Sequence, residues 1–168
     1  EQADKQALVI PFAVGLLTGA GEELPTQLET GTDVLEGTRL LVMEDEIQEY
    51  TFVNVPEKPV PSLFRDYSAP VRIFYDYSPA QLATLITHDS DAFVRWDAAQ
   101  RMAESAILEL CKRSVNGLEM TLDEALLKAF HGMLADRAAD PALLAEAMNL
   151  PDEDYLAEQM DVVDVDGI

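Results

Sequence analysis

The chain has 168 residues, 48% of them hydrophobic and 26% charged, which is enough apolar material for one ordinary core or two small ones and unlike a disordered tail. Its 32 acids against 11 bases leave a net charge of -21, with 14 acids and 5 bases up to Asp76 and 18 and 6 beyond it. A field of that sign over both halves repels nucleic acid and anionic lipid surfaces and excludes both as partners, while a basic protein surface stays compatible with it.

The first apolar run, Leu8 to Leu17, is nearly continuous and rich in β-branched residues, as in a strand buried on both faces, with an irregularity at Pro11. Gly19-Ala20-Gly21 ends it. Thr38–Met43 and Ile47–Val55 read as the next two strands, joined as a hairpin through Glu44-Asp45-Glu46. Pro56, Pro59 and Pro61 hold the following connection to extended or turn shapes. Ser62–Ser68 and, after Ala69-Pro70, the alternating Val71–Tyr77 complete five strands. Short strands separated by turn signals imply an antiparallel, Ig-like β-sandwich. Five strands are few for a closed sandwich, and the chain opens on one without an initiating methionine. We therefore expect a portion of a longer protein, whose first half alone would expose a strand edge and associate.

From Ser78 the period changes. Ser78-Pro79 offers an N-cap and a proline at the first helical position, opening a short helix to about Thr87. Phe93, Trp96, Ala99, Ala103, Ala106, Ile107 and Leu110 recur at spacings of three and four, a stripe that predicts a long helix with both aromatics in the core. Asp97 and Arg101 stand one turn apart with the acid first, the favourable order. Asn116-Gly117 stops this helix, and Thr121-Leu122-Asp123-Glu124 reads as a capping box for a third, through about Asp136. Asp140-Pro141 and Pro151-Asp152 open a fourth and a fifth. The fold class is α+β in two segments: a β-sandwich segment over residues 1–77, then an all-α segment over 78–168.

Few residues are candidates for chemistry. Cys111, the single cysteine, falls on the apolar side of a helix as a buried inert thiol, and alone it forms no disulfide or thiolate metal cluster. No apolar run reaches the ~18 residues of a membrane span, and Leu8–Leu17 follows acids rather than bases, so it is not a signal peptide either. His88 falls near a helix end, where the dipole favours a cation, and His131 lies within a helix. Asp89/Asp91 and Asp152/Glu153/Asp154 match no calcium-loop spacing and read as helix N-terminal charge. Asp161, Asp164 and Asp166 alternate with valines as a solvated terminus. There is no glycine-rich phosphate loop and no serine with a histidine at a motif spacing.

Three stretches carry a resemblance: Leu8–Leu17, the Ser68-Ala69-Pro70-Val71 step and, most specifically, Phe93-Val94-Arg95-Trp96-Asp97-Ala98-Ala99-Gln100. Together they resemble the region after the catalytic domain in the bacterial aminopeptidase N family of zinc metallopeptidases. The resemblance spans essentially the whole chain. It implies the later strands of a small β-sandwich followed by the first helices of a large helical domain. The parent enzyme would be cytoplasmic, would use zinc to remove N-terminal residues from peptides, and would supply the remaining domains as partners.

The family's catalytic motifs do not transfer. They need two histidines four residues apart on one helix face with a glutamate beside the first, whereas His88 and His131 stand far apart. The Gly-Ala-Met-Glu-Asn stretch that holds a substrate amine in that family is absent as well. This chain is therefore expected to have no catalytic, cofactor-binding or metal residues and to be inactive alone. Phe93, Arg95, Trp96, Asp97 and Gln100 are expected at a domain junction, with Arg95 free to pair an acid across it. The alternative is a stand-alone acidic module that binds a basic protein.

Overall fold

The computed structural model describes residues 8–137, 139–160, 162–164 and 167. Among these described residues two small antiparallel sheets, neither closed into a barrel, precede five helices, the α+β order that the change of period predicts. Contacts divide the chain into one unit of residues 1–76 with 88–94 and another of 77–87 with 95–168.

The first unit is organised around β1 (Ile10–Leu17). Val14 pairs both with Arg39 of β5 (Arg39–Met43) and with Leu63 of β6 (Val60–Leu63). Leu16 and Leu17 pair both with β2 (Glu23–Leu24) and with Pro61 and Val60 of β6. Because a strand has two edges, β5 and β2 must share one edge end to end while β6 takes the other. That explains the continuous apolar run: Ala13, Val14, Leu16 and Leu17 are all buried. Pro11 sits in the ladder opposite Val42 without interrupting it, so the expected irregularity is not there.

A second sheet pairs β3 (Thr26–Gln27) with β4 (Val34–Leu35), two short strands that periodicity did not show. The strand expected over Ile47–Val55 reduces to one bridge, Leu28 to Phe52, flanked by the Glu29 amide on the Thr51 carbonyl and the Val53 amide on the Gln27 carbonyl. No hairpin forms at Glu44-Asp45-Glu46. The Val42 carbonyl accepts instead from the Gln48 amide at 3.2 Å and the Tyr50 hydroxyl at 2.6 Å, so side chains occupy a group a partner strand would use. Ser62–Ser68 is not one strand either: β6 ends at Leu63, and Arg65–Tyr67 forms a single 3-10 turn. Residues 71–78 carry no strand assignment.

In the second unit α1 (Pro79–His88) opens on a reciprocal capping box, the Gln81 amide on Ser78 Oγ at 3.3 Å and the Ser78 amide on Gln81 Oε1 at 2.9 Å. α2 (Ala92–Val115) is the longest helix. α3 (Glu124–Ala135), α4 (Pro141–Ala147) and α5 (Glu153–Glu158) are capped by Asp123, Asp140 and Asp152, each accepting a first-turn amide. The cap of α3 is thus Asp123 and not Thr121. α2 ties the unit together: Gln100 donates to the Asn149 carbonyl at 2.7 Å, and Tyr155 donates to Glu104 at 3.1 Å.

Of the expected stripe on α2, Ala99 and Ala103 are buried, and Cys111 is buried as expected, but the stripe also takes in Val94, Ala98 and Met102, whereas Phe93 and Trp96 are half-buried. A contact packed on alanines leaves no room for an indole, so the large rings lie at its margin.

Candidate functional site: a buried guanidinium and its carboxylates

The densest polar constellation lies in the first unit, around Arg65, which is only 2% exposed. The turn that carries it is built at a conformational cost. Phe64, Asp66 and Tyr67 all have positive φ, at 56°, 56° and 48°, and a non-glycine residue in that region costs ~1–3 kcal/mol. The bonds of the side chain offset that cost. Nε donates to Ser62 Oγ at 2.7 Å, Nη1 to the Glu23 carboxylate and to Thr38 Oγ1 at 3.2 Å, and Nη2 to Asp89 Oδ1 at 3.1 Å. Room for the guanidinium comes from Gly15 on β1: a Cβ there would stand 2.2 Å from Arg65 Cζ.

Asp89 is fully enclosed. Its Oδ1 also accepts the Asp91 amide at 2.8 Å, while Oδ2 has no hydrogen bond. Burial pushes this carboxyl above the ordinary aspartate value, with the Ser62 hydroxyl, the Arg65 charge and the Asp91 amide pulling the other way and the Asp91 charge adding to the rise. The Ser62 hydroxyl is close enough to act on the carboxyl but is not in the geometry of a bond to Oδ2.

Asp91 works twice, accepting the Asp66 amide on Oδ2 at 2.8 Å and the Val94 amide on Oδ1 at 2.9 Å, the second being an N-cap bond to α2. Ser90 donates to Glu23 at 3.2 Å, and the Tyr67 and Phe93 rings meet at 5.0 Å. The His88 ring lies against Gly21, where a Cβ would stand 2.2 Å from Cγ. Residues 88–94 are therefore clamped onto the sheet by charge, caps and one aromatic contact.

Chemically the cluster holds rather than transforms. A guanidinium stays protonated and serves neither as base nor as nucleophile, and the Ser62 and Ser90 hydroxyls are engaged with Arg65 and Glu23. Among the described residues no group of three His, Cys, Asp or Glu side chains is placed to hold a metal ion. A second buried arginine, Arg39, fixes β3 and the start of β4, with Nη2 on the Thr26 carbonyl at 2.8 Å and Nη1 on Asp33 Oδ2 at 2.8 Å. The Arg39 hydrogen bond is the main reason the Asp33 carboxyl is held below its ordinary value.

The residues singled out in the sequence fall in both units. Phe93 is in the first, its ring tilted against that of Tyr67. Arg95, Trp96, Asp97 and Gln100 are in the second. Arg95 donates to the Ile86 carbonyl and to Asp136 Oδ2, both at 3.0 Å, so its acid lies within its own unit. Asp97 pairs with Arg101 at 2.7 Å, the i,i+4 bond that the spacing predicts. Cys111 is buried, with its thiol on the Gly167 carbonyl at 3.0 Å; His88 is in the last turn of α1 and His131 is exposed. Asp161 and Asp166 lie outside the described residues, and Asp164 is half-buried. Sequence reasoning took Asp89 for helix-terminal charge and passed over Arg65, Glu23 and Arg39. The one local sign was a charged pair, Arg65-Asp66, inside an apolar stretch.

Comparison with known proteins matches residues 1–76 to a family described as a domain of unknown function, DUF3458, with an Ig-like fold. Residues 79–168 match its companion, DUF3458_C, described as ARM repeats. Aminopeptidase N of Escherichia coli (strain K12) is 37% identical over 164 residues, covering 98% of this chain and 18% of the relative. Aminopeptidase N of Haemophilus influenzae is 31% identical over 170 residues, covering 100% and 19%. A crystal structure of Legionella pneumophila aminopeptidase A in complex with aspartic acid superposes with a TM-score of 0.73 at 28% identity, over 95% of this chain and 17% of that one. The chain spans less than a fifth of the length of each.

Proposed function

The chain belongs to the bacterial aminopeptidase N family, and from that membership we propose that it is a noncatalytic portion of a cytoplasmic, zinc-dependent aminopeptidase that removes N-terminal residues from peptides. The observation that carries the proposal is the match along essentially the whole chain to a small share of each relative, taken with the lack of a metal-binding cluster among the described residues. In this reading an Ig-like domain over 1–77 meets a helical domain over 78–168, which is supported by family matches that end at 76 and resume at 79. Phe93, Arg95, Trp96, Asp97 and Gln100 then mark the join, supported by the division of contacts between Val94 and Arg95. Leu118, Leu122, Leu134 and Leu150, all exposed, are surface that further helices of a repeat stack would cover. The catalytic domain would supply zinc and its ligands, and the other domains of the parent would be this chain's partners.

The test is an assay of the purified chain on an alanyl anilide with added zinc. No turnover is expected. Hydrolysis that survives purification and is abolished by a chelator would overturn the proposal. Sequencing the reading frame around it separates the alternatives: a helix with the two-histidine zinc motif upstream supports the parent enzyme, and a start codon beside Glu1 supports an independent acidic module.

A further inference from the structure

The Arg65 cluster places one buried cation between two carboxylates, so it carries an unbalanced negative charge if both are ionised. Uncompensated charge in a buried site is costly, and a proton on one carboxylate removes it. The geometry distinguishes the two. The Glu23 side chain is 37% exposed and keeps contact with water, whereas Asp89 is fully enclosed. Asp89 Oδ1 is occupied by the Arg65 Nη2 and the Asp91 amide; Oδ2 is buried and makes no hydrogen bond, with the Ser62 hydroxyl nearby. Both oxygens of Asp91 are taken by backbone amides, so neither is left open as Asp89 Oδ2 is.

We propose that the cluster is a proton-binding site, in which Asp89 carries a proton on its enclosed Oδ2 while Glu23, which keeps contact with water, is the counter-ion of Arg65. The groups that face Asp89 are Arg65 from the 3-10 turn, Ser62 from β6, Glu23 from β2 through the shared guanidinium, and Asp91 from its own loop. Ser90 and His88 flank it in sequence, the first bonded to Glu23 and the second against Gly21. The upward displacement of the Asp89 carboxyl by burial agrees with the geometry.

The sign of the consequence follows. A carboxyl that holds its proton more tightly folded than unfolded makes the folded state gain stability as pH falls through the folded value, and the gain is complete below the unfolded one. An ordinary salt-bridged carboxylate does the reverse. The clamp on residues 88–94 therefore tightens in mild acid.

The experiment is carboxyl-carbon NMR of the full chain with labelled aspartate, titrated from about pH 7.5 to about pH 3, with the Asp89 resonance assigned through bonds and checked against Asp89→Asn. Its midpoint should lie above the ~3.9 of a free aspartate. Glu23→Gln leaves Arg65 to Asp89 alone and should move that midpoint down. A midpoint at or below the free value in the natural chain, or one unmoved or raised by Glu23→Gln, overturns the proposal. The Glu23 arm decides the matter even if Asp89→Asn does not fold.

Discussion

Replacing Gly15 with alanine tests whether the Arg65 cluster holds the first unit together. The new methyl carbon would stand 2.2 Å from Cζ and 2.5 Å from both Nε and Nη2 of Arg65. The head of a free arginine could swing aside, but this one is held by Ser62, Glu23, Thr38 and Asp89 and is 2% exposed. Displacing it weakens hydrogen bonds to charged groups worth ~1.5–3 kcal/mol each. Leaving the buried Asp89 without its counter-charge costs ~3–5 kcal/mol when complete. Proton uptake by Asp89 limits the second loss, and alanine recovers ~0.5–1 kcal/mol of backbone entropy over glycine in a strand. The net expectation is a loss of about 3 kcal/mol, smaller than the sum because the displacement is partial. Native-state amide exchange of the β1 residues reads the first unit directly. A double-mutant cycle with Arg65→Met isolates the cause: once the guanidinium is gone, Gly15→Ala should cost under ~1 kcal/mol. Additive losses, or a single-variant loss within ~0.5 kcal/mol of zero, would refute the account.

Asp91→Ala removes the cap on Val94 and the acceptor for the Asp66 amide together, and should cost about 2 kcal/mol in the urea midpoint of the first unit; a change no larger than that of an exposed acid would sink the double role. Asp140→Ala should cost about 1 kcal/mol and raise amide exchange only in α4, so spread of the effect to β1 would contradict it. Asp33, held low first by its hydrogen bond to Arg39, contributes stability above the unfolded aspartate value that is lost as pH falls through the folded one. Asp33→Asn should accordingly flatten the acid limb of the stability curve and leave the Asp89 effect, which has the opposite sign, in place; an unchanged acid limb would remove Asp33 from the account. Trp96→Ala should cost about 1–2 kcal/mol by thermal melt, below the ~3–5 of a fully buried aromatic, because Trp96 is half-buried. A loss at the upper figure would mean the indole does belong to the core.

How far the sequence could be read follows from the range of each force. The capping of α1 by Ser78, the Asp140 and Asp152 caps, the stop at Gly117 and the Asp97–Arg101 pair are interactions within one helical turn, visible as spacing. Strands were legible where burial on both faces made a continuous run, as in β1. They were not where pairing is only two residues long, as in β3 and β4, or where the Gln48 and Tyr50 side chains occupy a strand carbonyl, as after β5.

The Phe93–Gln100 run was the most specific of the three stretches that carried the family resemblance, which rests on residue types and not on their packing. The helical spacing placed Ala99 and Ala103 in the core, but it could not say that Trp96 would stay at the margin. That depends on how closely neighbouring elements approach, and the contact settled on Ala98, Ala99 and Ala103 rather than on Trp96. Nor could it show the Arg65 cluster, whose members Gly15, Glu23, Thr38, Ser62, Arg65 and Asp89 are spread along the chain and share no pattern. By itself the sequence determined the change from strands to helices at Ser78, the strands β1 and β5, most helix ends and the absence of the zinc motif. Only the tertiary structure decided where a buried charge finds its partners, since a charge removed from water takes whatever carboxylates folding brings within reach, however distant in sequence.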